Sequence, residues 1–312
     1  PDWPQFEATP TRKIKGRFDE LSKNRKMRES IPDWLDALGE KELGKKWDKE
    51  LAALNKQAEV ILRVNTLKTT ITELQAALTD AGLETEIVKG NPSALRLVER
   101  ANVFTTEAFK NGWFEVQDAS SQKVAQLLDP KPGMRVVDAC AGAGGKSLHL
   151  AMLMENKGQL IAMDIYQNKL TELKRRAKRN GAHNIETRLI ESTKTIKKLI
   201  GSADKVLIDA PCSGLGVLRR NPGTKWKLQP EFLEEIKETQ KELLNSYSRM
   251  VKDGGDLLYA TCSILPSENQ EQVKAFLARE EGKQFTLTSE EKIMPSTSGF
   301  DGFYMALLQK KS

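Results

Sequence analysis

The sequence predicts an α/β protein: a doubly wound, mostly parallel sheet over residues 113–312, preceded by a small α/β domain at 57–112 and a basic helical segment at 1–56. Three observations carry this reading. From Arg135 onward, apolar runs alternate with stretches of helical period, and regular β-α alternation makes a parallel sheet. A glycine-rich segment, Asp138 to Lys146, falls between one such run and the helix after it. Two further apolar runs each give way to a loop containing a cysteine, and ligands of such sheets sit at the carboxyl ends of the strands.

Each element follows from local pattern. Ile31 to Leu54 carries Trp34, Leu35, Leu38, Leu43, Trp47, Leu51 and Leu54 at helical spacing, with Gly39 read as an interruption. The small domain reads as β-α-β: a strand at Val60 to Val64, a helix at Ile71 to Ala81 ended by Gly82, and a strand at Glu84 to Val88. Another strand, Leu95 to Val98, follows an Asn91-Pro92 turn. In the large domain, strands are expected at Arg135–Cys140, Gln159–Met163, Glu186–Ile190, Lys205–Ile208, Asp256–Ala260, Gln284–Thr288 and Phe303–Gln309. Helices are expected at Lys146–Met154, Asn168–Arg179, Pro230–Val251 and Glu268–Arg279.

Composition removes several classes of function. No apolar run approaches the roughly 18 residues of a membrane helix, and no secretory leader is visible. Three cysteines form no disulfide framework, which points to a reduced, cytoplasmic protein. His149 and His183 lack metal-ligand spacing, so no metal is expected. A first residue other than Met leads us to expect a fragment of a longer chain. The net charge of +6 permits a nucleic-acid partner without requiring one. Its distribution says more: eight basic and two acidic residues lie between Thr11 and Arg28, a second cluster is Lys174, Arg175, Arg176, Lys178 and Arg179, and a third is Arg219, Arg220, Lys225 and Lys227 around Trp226. Trp226 reads equally well as a packing residue or as a platform for a base.

The glycine loop lets backbone approach a ligand closely, and Asp164, 26 residues after Asp138, ends the next strand where it suits ribose hydroxyls. The pair indicates a nucleoside-containing cofactor and does not choose among them. Asp209-Ala210-Pro211-Cys212-Ser213-Gly214 and Ala260-Thr261-Cys262-Ser263 are more selective. A lone cysteine is usually an inert buried hydrophobe. Two at equivalent strand ends, without further Cys or His ligands, suit nucleophilic chemistry better than metal binding.

These motifs together resemble the bacterial RNA cytosine-5 methyltransferases of the Fmu/Sun/RsmB group, related to the eukaryotic NOL/NSUN enzymes. Leu62-Arg63-Val64-Asn65-Thr66, Gln117-Asp118-Ala119-Ser120-Ser121, Arg219-Arg220-Asn221-Pro222 with Lys225-Trp226, and Glu268-Asn269 extend the match over nearly the whole chain. The resemblance implies a Rossmann-like class I methyltransferase domain, S-adenosyl-L-methionine as cofactor, and RNA as substrate: small-subunit ribosomal RNA, with tRNA as the alternative. It implies Cys262 as nucleophile at carbon 6 of the base, Cys212 as the residue assisting breakdown of the adduct, and Asp209 as a holder of the cytosine or of the cofactor's methionine end. Ala141, Gly142, Ala143, Gly144, Gly145 and Lys146 would cradle the methionine and ribose portion, Asp164 the ribose and Glu191 the adenine. Arg63, Arg219, Arg220, Lys225 and Trp226 are the expected RNA contacts. Ala143 stands where the family carries Pro, from which a looser loop is expected, and Glu191 is one methylene longer than the family's Asp. Members of this group often carry a NusB-like helical domain ahead of this region, and its lack here agrees with the fragment reading. Three other readings compete. A dehydrogenase leaves the paired cysteines unexplained. An amino-methyltransferase carries Asn/Asp-Pro-Pro-aromatic where this chain has Asp209-Ala-Pro-Cys. A non-catalytic RNA-binding protein has no need of an intact cysteine pair.

Overall fold

The computed structural model describes residues 11–91 and 93–312; the start of the basic segment and Pro92 of the Asn91-Pro92 turn lie outside the described residues. The small domain is a four-stranded antiparallel sheet of order β2-β3-β1-β4, built from β1 (Ile61–Val64), β2 (Thr85–Ile87), β3 (Ala94–Leu97) and β4 (Phe114–Val116). Helix Ile71–Asp80 covers one face, started by a capping box in which Thr70 and Glu73 satisfy each other's backbone N–H. Leu62, Val64, Leu74, Leu78, Leu95 and Phe114 form the core between them. The fourth strand has only three residues and was not expected from the pattern.

The large sheet has seven strands in the order β10-β11-β9-β8-β5-β6-β7. They are β5 (Arg135–Asp138), β6 (Gln159–Asp164), β7 (Ile185–Leu189), β8 (Ala203–Asp209), β9 (Val251–Thr261), β10 (Phe285–Ile293) and β11 (Phe303–Lys310). β5 to β9 are mutually parallel, and β10 and β11 add an antiparallel edge. Burial on both faces explains why the central strands β5, β6, β8 and the second half of β9 read as continuous apolar runs, whereas the edge strand β7 (IETRL) does not. Val137, Ile161, Val206, Ile208, Leu257 and Tyr259 face helices Pro230–Tyr247 and Gln270–Leu277. Their neighbours Val136, Leu160, Ala162, Leu207, Leu258 and Ala260 face helices Ala119–Leu128, Gly145–Leu153 and Gln167–Asn180. The strand order reverses at β5, and the loops leaving β5, β6, β8 and β9 meet above that point.

Gly39 does not interrupt its helix. Helix Asp33–Leu43 runs through it, because the Trp47 indole lies where a side chain would go: a Cβ there would sit 2.2 Å from the ring. The break comes at Gly44 (φ 55°), and helix Trp47–Leu54 follows. Leu35, Trp47, Leu51 and Leu54 pack on Leu215, Leu218, Ile264 and Leu265, so these helices brace the loops after β8 and β9. Glu42 accepts from the Ser267 N–H (3.0 Å) and hydroxyl (2.7 Å) on the same side. Among the described residues no helix is long and apolar enough to cross a membrane.

Candidate active site

Four strands end at the site: β5 in the buried Asp138, β6 in Asp164, β8 in Asp209 and β9 in the buried Thr261; of these, Asp164 and Asp209 line its cavities. The loop after β5 is held mainly by backbone. Ala141 N–H donates to Met163 O (2.8 Å), Gly144 N–H to Ala141 O (2.9 Å), and Gly142 N–H to Asp164 Oδ2 (2.8 Å). Asp164 Oδ1 accepts from the Tyr166 N–H at 2.8 Å. Gly144 has φ 88°, and a Cβ there would meet Leu173 Cγ at 2.6 Å, so only glycine permits the helix after the loop to start so close to its neighbour. Ala143 is not left loose, since its carbonyl accepts from Arg176 Nη1 at 2.8 Å. Behind this loop lies a cavity of about 250 Å³, walled by Ile165, Tyr166, Ile190 and Tyr247 with the Asp164 carboxylate among them. Glu191 is exposed next to Ile190.

Asp209 and Pro211 also line a second cavity, of about 590 Å³, into which Lys146, Cys212 and Cys262 project. The two sulfurs are 3.3 Å apart. The hydrogen bond to Cys262, with burial, pushes the Cys212 thiol well above its ordinary pKa. Lys146 Nζ donates to Asp209 Oδ2 at 2.6 Å and lies 5.2 Å from the Phe303 ring centre. Burial works against the ammonium, but the charge and hydrogen bond of Asp209 outweigh it, and Lys146 is held above the usual lysine range. The Cys262 sulfur is within electrostatic reach of the same ammonium. Asp138, fully buried and bonded by the Ser147 hydroxyl at 2.6 Å, is pushed up to about 7 by burial.

The two cysteine loops are fixed by residues the motifs did not single out for that task. Glu268 is fully buried and accepts from Ser213 N–H (2.8 Å), from the hydroxyls of Ser213 and Ser263, and from Gln240 Nε2 (3.1 Å). One carboxylate thus ties the residue after Cys212 to the residue after Cys262. Asn269 Nδ2 donates to Ser263 O at 2.9 Å. The Glu268-Asn269 pair after the Thr-Cys motif was the available signal, without its geometry.

The charges expected to meet RNA are placed otherwise. Arg63 is 2% exposed and donates to Gly145 O (2.7 Å) and to Gln117; burial lowers its pKa to about 10. The Arg219 side chain is 5% exposed and donates to Gly299 O (2.6 Å) and Ala53 O (3.1 Å). Lys225 is buried on Glu29 O (2.7 Å) and Asn55 Oδ1 (2.8 Å). These three are structural cations rather than surface contacts: each satisfies carbonyl or amide oxygens where two segments pack. Arg220 lines the second cavity and is gripped by Asp118 (2.9 Å) and Asp301 (2.5 Å). Trp226 is 56% exposed.

A seven-stranded sheet with this site at its switch point and a small antiparallel α/β domain ahead of it defines a Rossmann-like methyltransferase with a ferredoxin-like N-terminal domain. The family model described as 16S rRNA methyltransferase RsmB/F matches residues 125–309, and the ferredoxin-like domain of the RsmF/B-like methyltransferases matches residues 31–104. The chain belongs to this RsmB/F family. Ribosomal RNA small subunit methyltransferase B of Photorhabdus laumondii is 32% identical over 307 residues, which cover 94% of this chain and 69% of that protein. Among solved structures, PH0851 superposes with a TM-score of 0.86 at 31% identity, covering 99% of this chain and 70% of that one. A methyltransferase homologue from Pyrococcus horikoshii gives 0.81 at 26%, covering 92% and 98%.

Proposed function

We propose that this chain transfers a methyl group from S-adenosyl-L-methionine to carbon 5 of a cytosine in small-subunit ribosomal RNA, through a covalent bond between Cys262 and carbon 6. The observation that carries the reading is the pair of thiols, 3.3 Å apart at the ends of adjacent parallel strands. They stand in a cavity that shares Asp209 and Pro211 with an apolar one. Two cavities meeting at one wall suit a donor and an acceptor that must touch. Family membership supports ribosomal RNA as the acceptor.

The residues present fit the cofactor. A mostly apolar pocket with the strand-end carboxylates Asp164 and Asp209 in its lining suits an adenosine, with Asp164 at the ribose and the exposed Glu191, next to the lining residue Ile190, at the adenine side. Ala141, Gly142, Ala143, Gly144, Gly145 and Lys146 would hold the methionine and ribose portion beside Asp209. When bound, S-adenosylmethionine supplies an electrophilic methyl group.

The chain's own residues do the rest. Carbon 5 of cytosine is too weak a nucleophile unaided. Addition of the Cys262 thiolate to carbon 6 moves the ring's electrons onto carbon 5, splitting one hard step into easier ones. Lys146, held by Asp209 at 2.6 Å, places a fixed positive charge in the same cavity. Cys212 keeps its proton at the adjacent sulfur and acts in breakdown of the adduct, when a water molecule takes the proton from carbon 5 and the electron pair left behind opens the carbon 6–sulfur bond to release the Cys262 thiolate. The target base must leave its stack to reach this cavity. The test is methylation of transcribed small-subunit ribosomal RNA followed by bisulfite sequencing. One cytosine should become resistant to conversion; a methyl group on a ring nitrogen or on another base contradicts the reading.

A further inference from the structure

Of the second basic cluster, Arg176 touches the site above through the Ala143 carbonyl, and Arg175, Arg179, Lys174 and Lys178 have no role in it. The cluster lies on helix Gln167–Asn180, facing the small domain across a groove of about 670 Å³. Phe104, Phe109, Arg175, Arg176 and Arg179 line it, together with Ala143 of the glycine loop and the paired carboxylates of Glu115 and Glu172. Val116 lines both this groove and the cavity holding the two thiols, so the two adjoin at that residue.

The groove wall is preorganised. Phe109 packs on Phe114 (5.6 Å between ring centres), and the Arg179 guanidinium lies 4.1 Å from the centre of the Phe109 ring. Phe104 stands edge-on to Phe109 at 5.0 Å and is nevertheless 56% exposed. Glu115 holds Arg176 (2.7 Å) and Arg179 in place. Among the described residues, Arg175 pairs with Glu172 alone, on its own helix, and its side chain is 74% exposed. Such an exposed pair contributes little and is readily exchanged for a phosphate. Lys174 and Lys178 are exposed on the same helix. An exposed aromatic ring beside a row of cations is the pattern that grips single-stranded nucleic acid without reading its sequence.

We propose that this groove holds the RNA strand flanking the target cytosine, with Phe104 stacking on a neighbouring base and Arg175 neutralising a phosphate. The proposal rests on the reading of the chain as an RNA methyltransferase. Because Arg176 Nη1 bonds the Ala143 carbonyl, the strand would run along the rim of the glycine loop, and the small domain and the methyltransferase domain would share it.

The test uses the full chain, a short fluorescein-labelled single-stranded RNA read by anisotropy across a salt series, and methylation of transcribed small-subunit ribosomal RNA. Phe104→Ala should weaken RNA binding about tenfold to a hundredfold while leaving the salt slope unchanged. Phe104→Tyr, which keeps an aromatic face, should restore it. Arg175→Ala should flatten the slope of log affinity against log salt by about 0.7. Melting temperature and S-adenosylhomocysteine binding should not move in any of the three. Wild-type affinity and slope in both alanine variants overturn the proposal. If the wild type methylates no ribosomal RNA while the variants still lose oligonucleotide binding in this pattern, the enzymatic reading fails and the RNA groove stands. A loss seen with assembled small subunits but not with naked RNA assigns the groove to a protein partner and overturns the proposal.

Discussion

The two halves of the site are built in different ways. The side proposed for the cofactor, at the ends of β5 and β6, is a backbone construction: amide-to-carbonyl bonds shape the loop, and Asp164 contributes by accepting from two N–H groups. The acceptor side, at the ends of β8 and β9, is a side-chain construction: Glu268 with Ser213, Ser263 and Gln240, Lys146 with Asp209, and Arg220 with Asp118 and Asp301. A backbone cradle tolerates changes of side chain, provided glycine stays where φ is positive or a neighbour is close. A buried polar network does not, because removing one member leaves the others unpaired.

The largest effect should come from the network. Glu268→Ala leaves two buried hydroxyls, an N–H and an amide without their acceptor. At 1–3 kcal/mol for each buried group left unsatisfied, stability should fall by about 3 kcal/mol or more. Thermal unfolding should show a drop of roughly 5 °C or more. A melting temperature equal to wild type would erase the contrast between the two halves.

On the backbone side, Asp164→Ala should weaken S-adenosylhomocysteine binding roughly tenfold to a hundredfold, the loss of one charge-assisted hydrogen bond, measured by calorimetry. Its melting temperature should fall less than that of Glu268→Ala, because the Gly142 and Tyr166 amides lie at a cavity edge that water reaches. The reverse order of stabilities would contradict the division drawn above.

A further effect concerns pH. Asp138 is raised from 3.8 to about 7 by burial, so the folded state holds its proton more tightly than the unfolded chain. Its favourable contribution is therefore complete below about pH 4 and is lost as pH rises through 7. Asp138→Asn lacks this titration. Wild type and variant should diverge in melting temperature between pH 4 and 7, in favour of the variant as pH rises. Parallel curves would place the ionised carboxylate in a solvated setting.

Much of this was legible in the sequence, for reasons that differ by element. The central parallel strands β5, β6, β8 and β9 are covered on both faces and so read as apolar runs, and Cys212, Cys262 and Asp164 could be placed at strand ends from position alone. Helix Ala119–Leu128 was not seen: its start is Ala119, Ser120 and Ser121, and its cap, Asp118, is shared with Arg220, 102 residues away. The β4 strand is too short to show a period. Charge clusters were the least reliable guide. Arg219 and Arg220 are adjacent, yet one is sunk against Ala53 and Gly299 and the other lines the acceptor cavity, a difference set by chain segments far away in sequence. The same holds for Gly302, whose N–H donates to Gly216 O at 2.8 Å and locks the segment containing Asp301 onto the loop after Cys212.

The central claim is that the two adjacent thiols divide the work, Cys262 forming the covalent bond and Cys212 releasing it. The direct measurement is a denaturing gel of each single variant incubated with small-subunit ribosomal RNA and S-adenosylmethionine. Cys212→Ala should accumulate an RNA–protein band that survives denaturation, because the adduct forms and resolves slowly. Cys262→Ala should give no such band and no methyl transfer, while still binding RNA and cofactor. A persistent band with Cys262→Ala and none with Cys212→Ala would reverse the assignment, and methyl transfer by the Cys262→Ala variant at the wild-type rate would contradict covalent catalysis at this site altogether.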